Sequence, residues 1–245
     1  MLLSGHVVII TGAARGMGEA VTRKCVDEGA QVLAVDRDPQ VKDLAAAIGC
    51  GAYVGDVTDP ELAGQVVADA SDTYGALHGL VNVAGVHQHG SAAEVTDEQW
   101  ARILAVNLTA PMVWTRAAIP AMIAADGGSI LSFASIAGSR ARPNCAAYVA
   151  SKAGLIGFSR SVAVDFGPHN IRSNTLSPGT VDTPMFREHE AAGGASRAEQ
   201  LSHIYLGRLG TTDEIASTCA FLLSPGAAYI SGVDLLVDGG RGAGT

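Results

Sequence analysis

A chain of 245 residues, 48% apolar and only 16% charged, has room for one large α/β domain with a substantial core. A net charge of −8 with no Lys/Arg stripe argues against a nucleic-acid partner, and no apolar run reaches the roughly 18 residues that a membrane helix needs. Residues Met1 to His6 lack a charged n-region and a cleavage site, so a cytoplasmic protein is expected.

Strand-like and helix-like patterns alternate from the start. Val7–Ile10 is a short β-branched run, and Gly16 to Gly29 has helical periodicity. Gln31–Asp36 reads as a second strand, 39–48 as a helix, Ala52–Val54 as a third strand and 60–74 as a helix. Leu80–Val83 is a fourth strand. A long helix is predicted from about Thr96 to Ala124, bent or split by Pro111 and Pro120. Ser129–Ala134, a helix over 145–167 and Ile171–Leu176 come next. After a polar, Gly-rich stretch come a helix near 212–223 and a last strand, Val233–Val237. Such alternation implies a Rossmann-like doubly wound parallel sheet of about seven strands with helices on both faces. Residues 1–245 read as a single dinucleotide-binding catalytic domain. Ligands of such sheets bind beyond the carboxyl ends of the strands.

Several motifs fall at those ends. Thr11-Gly12-Ala13-Ala14-Arg15-Gly16-Met17-Gly18 links the first strand to the first helix. Its glycines let the backbone approach a pyrophosphate, and the helix N-terminus offers N–H groups and a positive dipole end. Asp36, eighteen residues after Gly18, is placed to accept both ribose hydroxyls and to repel a 2′-phosphate. NAD is therefore expected over NADP, although Arg15 and Arg37 are near enough in sequence to reach a phosphate. Asp56-Val57 closes the third strand, where a carboxylate can meet the adenine amino group or simply turn the chain. Asn82-Val83-Ala84-Gly85 closes the fourth, and its small residues leave room for the cofactor. Tyr148 and Lys152 lie four apart on one predicted helix face, with Ser135 thirteen residues upstream of Tyr148. An ammonium beside a phenol of ordinary pKa about 10 favours the phenolate and makes it a candidate base.

In this order and spacing, Thr11-Gly12-x-x-x-Gly16-x-Gly18, Asn82-x-Ala84-Gly85, Asn107, Ser135, Tyr148-x-x-x-Lys152 and Pro178-Gly179 resemble the short-chain dehydrogenase/reductase family, in its compact single-domain form. Val83 departs from the family's usual second asparagine. The resemblance implies Tyr148 as general acid/base, Lys152 as its activator and a ligand of the nicotinamide ribose, and Ser135 as the group that holds the substrate oxygen. It implies Asn107 as the anchor of a proton-relay water. It also implies that Pro178, Gly179, the Val181 backbone and the Thr183 hydroxyl grip the nicotinamide, that Asp238 is structural, and that the protein is a homo-oligomer, a tetramer in the family's common form.

Three loops are expected around the substrate. They are Val86–His89, Gly138–Cys145 and a lid at about 184–207. His87, Arg140, Arg142 and Asn144 suggest a polar or anionic substrate, a small polar or cyclic alcohol. His87 and His89 alone, with no carboxylate partner, are poor ground for a metal, and none is expected. The four cysteines are scattered, without metal-ligand spacing, and read as reduced thiols. The expected function is NAD-dependent alcohol–ketone interconversion. Its rivals are an NADPH-dependent 3-oxoacyl-thioester reductase, a non-catalytic dinucleotide sensor and a structural oligomer subunit.

Overall fold

The computed structural model describes residues 1–191 and 195–244. Seven parallel strands form one sheet in the order β3-β2-β1-β4-β5-β6-β7. They are β1 (Val7–Thr11), β2 (Gln31–Asp36), β3 (Gly51–Val54), β4 (Gly79–Asn82), β5 (Gly128–Phe133), β6 (Ile171–Pro178) and β7 (Asp234–Val237). The helices are α1 (Gly16–Asp27), α2 (Gln40–Ile48), α3 (Pro60–Tyr74), α4 (Asp97–Leu104), α5 (Ala110–Ala124), α6 (Ile136–Ser139), α7 (Ala146–Phe166), α8 (Pro184–Ala191), α9 (Arg197–Leu201) and α10 (Thr212–Leu223). No helix among the described residues is long and apolar enough to cross a membrane.

The two faces of β1 explain the architecture. Side chains alternate along a strand. Val8 and Ile10 enter a cluster with Val21 and Cys25 of α1 and Ile215 and Cys219 of α10. Val7 and Ile9 enter a second cluster with Val66 of α3, Trp114 of α5 and Val162 of α7. Both faces are buried, which is why the strand reads as an unbroken apolar run. The sheet turns outward in both directions from β1 and β4, whose last residues Thr11 and Asn82 are paired. That switch point opens a crevice at the strand ends.

The predicted helix over 96–124 divides, but at neither proline alone. A π turn, Ala105–Thr109, separates α4 from α5, and Pro120 lies within α5. Pro111 has no N–H to offer the carbonyl of Asn107 four residues earlier, which loosens the helix there. The stretch read as polar and Gly-rich contains two helices, α8 and α9. Thr183 Oγ1 accepts from Phe186 N at 3.2 Å at the start of α8, and Ser196 Oγ caps α9 by accepting from Glu199 N. Residues 192–194 of the expected lid lie outside the described residues.

Candidate active site

A crevice with about 940 Å3 of open space, counting its mouth, lies across the carboxyl ends of β1 to β4. Gly12, Arg15, Gly16, Met17 and Gly18 line one wall, and Asp36, Arg37, Asp56 and Val57 line another. Of the other predicted cofactor residues, Ala84, Gly85 and Thr183 line it too. Val83, Val86, Val106 and Met185 line it as well. These are apolar residues that no sequence pattern distinguishes from core.

The glycines are demanded by space. A Cβ on Gly12 would stand 2.6 Å from the Ala84 nitrogen, and one on Gly18 would stand 1.8 Å from the Gly12 oxygen. Gly12 and Gly16 also hold φ of +70° and +61°, a region that side chains disfavour. Backbone therefore forms the wall, and α1 starts directly behind it. Asp36 is half-buried, and its Oδ2 accepts from Ala14 N at 2.9 Å, bracing the turn. Its Oδ1 accepts from Asp38 N at 2.9 Å. A bare backbone cradle at a helix N-terminus, with a carboxylate at its far edge, fits a dinucleotide.

Other predicted residues have different placements. Arg15 pairs with Glu188 of α8 at 3.3 Å, tying the glycine turn to the lid region. Asp56 both lines the crevice and turns the chain, since its Oδ1 accepts from Thr58 N at 2.9 Å and Thr58 Oγ1 at 2.7 Å. Those bonds hold its carboxyl below the usual range. Asn82 does not reach the crevice. It is buried and donates to Ser132 Oγ at 3.3 Å, so it ties β4 to β5 beneath the small pair. Pro178, Gly179 and Val181 also lie off the crevice wall. Gly179 is packed so closely that a Cβ would meet the Asp238 backbone at 2.7 Å, and Val181 is buried and bridged to Gly210. Thr183 lines the crevice and serves α8 as well. Asp238 accepts from Gly240 N at 3.0 Å.

Beyond Gly85, α7 carries Tyr148 and Lys152 one turn apart. Ser135 caps α6 and stands within hydrogen-bond reach of the Tyr148 hydroxyl. Burial pushes the phenol's pKa up, and the Ser135 hydrogen bond opposes that only in part. Lys152 is 4% exposed, donates to the Phe133 carbonyl at 2.6 Å, and has its pKa pulled down to about 8 by burial. Its Nζ lies 5.8 Å from the Tyr148 ring centre. Burial is the largest influence on the phenol, and Lys152, which donates to Phe133, is not among the groups that lower its pKa. A Cβ on Gly85 would come within 3.5 Å of Asn107 Oδ1 and 3.6 Å of Lys152 Nζ, so both buried polar groups lie close to Gly85 of the crevice wall.

Asn107 is fully buried in the π turn. Its Oδ1 accepts from Val86 N at 2.8 Å, and its Nδ2 donates to Val86 O at 2.9 Å and to Ser151 Oγ at 3.2 Å. Ser151 in turn donates to the Tyr148 carbonyl at 2.8 Å. Ser151 and the Val86 backbone are positioning groups that the sequence did not single out. Among the loop residues, Arg142 is exposed and close enough to lower the phenol's pKa, and Asn144 takes φ +54° at the turn before α7. Arg140 points elsewhere, donating to the carbonyls of Gly242 and Gly244. His87 packs its ring against Tyr148, with centroids 4.7 Å apart. Cys145 lies beside both His87 and His89, a grouping that the scattered cysteine positions did not suggest.

A family model described as enoyl-(acyl carrier protein) reductase matches residues 12–241. The trans-4-hydroxycyclohexanecarboxylate dehydrogenase of Sinomonas cyclohexanicum is 38% identical over 97% of this chain and 93% of its own. The 3-oxoacyl-[acyl-carrier-protein] reductase of Thermotoga maritima is 36% identical over 98% and 99%. Among solved structures, a protein described as a candidate NAD(P)-dependent gluconate 5-dehydrogenase from Beutenbergia cavernae, with NADP bound at low occupancy, superposes with a TM-score of 0.93. It is 34% identical over 99% of this chain and 98% of its own.

Proposed function

Because the chain belongs to the short-chain dehydrogenase/reductase family, we propose that it is an NAD-dependent oxidoreductase, a single catalytic domain that interconverts a secondary alcohol and a ketone. The observation that carries this reading is the grouping of Ser135, Tyr148 and Lys152, with Lys152 Nζ set against Gly85 of the glycine-walled crevice. A nicotinamide dinucleotide, when bound, accepts or donates the hydride. Tyr148 takes the alcohol proton in oxidation and returns it in reduction. Ser135 donates a hydrogen bond to the substrate oxygen where charge develops. Lys152, whose loss of a proton near pH 8 is set by burial, holds the nicotinamide ribose and exchanges protons with Tyr148. The Asn107 side chain is committed to Val86 and Ser151, so its part is to clamp the loop after β4. Its main-chain carbonyl, denied an N–H by Pro111, is the group that would anchor a relay water.

Asp36 supports NAD, since a carboxylate already fixed by two N–H groups cannot swing away from a 2′-phosphate. The Arg142 charge, which lowers the phenol's pKa, together with a relative named for a cyclic hydroxy acid, supports a small anionic or cyclic secondary alcohol. The second reading is an NADPH-dependent 3-oxoacyl-thioester reductase, which the Thermotoga relative favours. A panel of cyclic hydroxy acids, sugar acids, hydroxy acids, steroids and a 3-oxoacyl thioester, run with both cofactors, separates them. Cyclic or polar alcohols should turn over with NAD. Asp36→Asn keeps the acceptor for Ala14 but removes the charge, and should raise NADP use relative to NAD about tenfold or more, a change of about 1.4 kcal/mol. Dominant NADPH-driven thioester reduction would sink the first reading.

We also propose a homo-oligomer. β7 is an open sheet edge, and Phe221, Tyr229, Val233 and Leu236 near it are exposed. Sedimentation velocity should report a multiple of 24.9 kDa, and a monomer mass at working concentration would exclude it.

A further inference from the structure

We propose that His87, His89 and Cys145 form a zinc site beside the Tyr148 ring, and that an ion bound there shuts off turnover. The blocking role rests on the alcohol–ketone reading, whereas the site does not.

One ligand atom from each of the three residues lies within 4.8 Å of the other two. Cys145 Sγ is 3.6 Å from His87 Nε2 and 3.9 Å from His89 Nδ1. Zinc bonds of about 2.3 Å to sulfur and 2.0–2.1 Å to nitrogen, at the tetrahedral angle, set sulfur and nitrogen about 3.5 Å apart. The two observed sulfur–nitrogen spacings therefore need little change to close on an ion. The two loops are already clamped together, since Gly90 N donates to Asn144 O at 2.9 Å and Ala146 N donates to Gly90 O at 3.1 Å. The thiol is buried and both imidazoles are exposed, which gives a built inner ligand and an open entry path. One thiolate and two imidazoles suit a borderline-soft ion such as zinc, and three protein ligands leave a fourth position open. As the Zn–S bond forms, the Cys145 proton passes to solvent, and no electron is exchanged. Exposed Arg142 opposes the ion only through solvent-screened charge.

His87 connects this cluster to the chemistry. Its ring meets the Tyr148 ring edge-on at 4.7 Å. An ion on Nε2 would lie one imidazole away from the phenol and would pin His87 across the approach to it.

Cobalt(II) titration of the cofactor-free protein tests the site without any turnover. One equivalent should produce a thiolate-to-cobalt charge-transfer band, and an equivalent of zinc should erase it. The band should be absent in Cys145→Ser, and His89→Ala should weaken binding about 10–100-fold or more. No band, or a band that survives Cys145→Ser, overturns the site. With an alcohol that the enzyme oxidises, zinc should abolish wild-type turnover, a chelator should restore it, and Cys145→Ser should resist inhibition. Zinc that saturates the band but leaves turnover unchanged overturns the blocking role.

Discussion

Tyr148→Phe is expected to lower turnover by about 10²- to 10⁴-fold, the usual contribution of a positioned acid/base, while the thermal shift produced by NAD stays nearly that of the wild type. The ring packs against His87 and would remain in place, so only the proton carrier is lost. Activity within a few-fold of wild type would remove Tyr148 from its role. The wild-type rate against pH gives a second reading. Lys152 loses its proton near pH 8, and the phenol's own pKa is raised. Lys152 is therefore the member of the pair that titrates near 8, and once neutral it can take up the proton that Tyr148 passes on. Oxidation needs the deprotonated pair, so its kcat/KM should rise with pH through that limb. Ketone reduction needs the protonated pair, so its kcat/KM should fall through the same limb. Two profiles with the same sign of slope there would contradict the assignment.

Gly18→Ala is expected to abolish the NAD-induced thermal shift and to lower the melting temperature by roughly 5–10 °C. Two effects oppose each other. Alanine in place of glycine favours a helix by about 1 kcal/mol. Against that, the new Cβ would stand 1.8 Å from the Gly12 oxygen and 2.7 Å from its carbonyl carbon, both main-chain atoms that cannot rotate aside. Overpacking costs about 1–3 kcal/mol, and backbone against backbone belongs at or above the top of that range. The clash wins, and at about 2–4 °C per kcal/mol for a chain of this size it gives the stated shift. Gly64→Ala is the control. A Cβ there meets nothing within 4 Å on an exposed turn of α3, so it should be neutral or slightly stabilising. Equal behaviour of the two variants would show that the glycine turn is not close-packed.

Much of the fold was legible along the chain. Apolar runs of strand length, helical repeats between them and glycines at the first turn reflect local periodicity and steric demand, and they place β1, α1, β2 and Asp36 directly. Asn107, Ser135, Tyr148 and Lys152 were recognisable because their spacing belongs to a family, not because any one of them is unusual locally. Less visible was how side chains are employed once buried. Asn82, read as a cofactor contact, joins β4 to β5 instead, and the helices α8 and α9 were hidden in a stretch whose composition resembles a loop. Their caps, Thr183 and Ser196, are common residue types that act as caps only because a helix begins directly after them.

The succession of strands and helices along the chain, the position of the glycine turn and the candidate acid/base pair were written in the chain, because periods of two and 3.6 residues and the absence of a Cβ act over a few neighbours. Only the tertiary structure decided that burial is the largest influence on the Tyr148 phenol, that Arg140 turns to the C-terminal tail, and that Cys145 meets two histidines more than fifty residues away. Desolvation and ligand grouping depend on which distant segments pack together, and no local pattern records that.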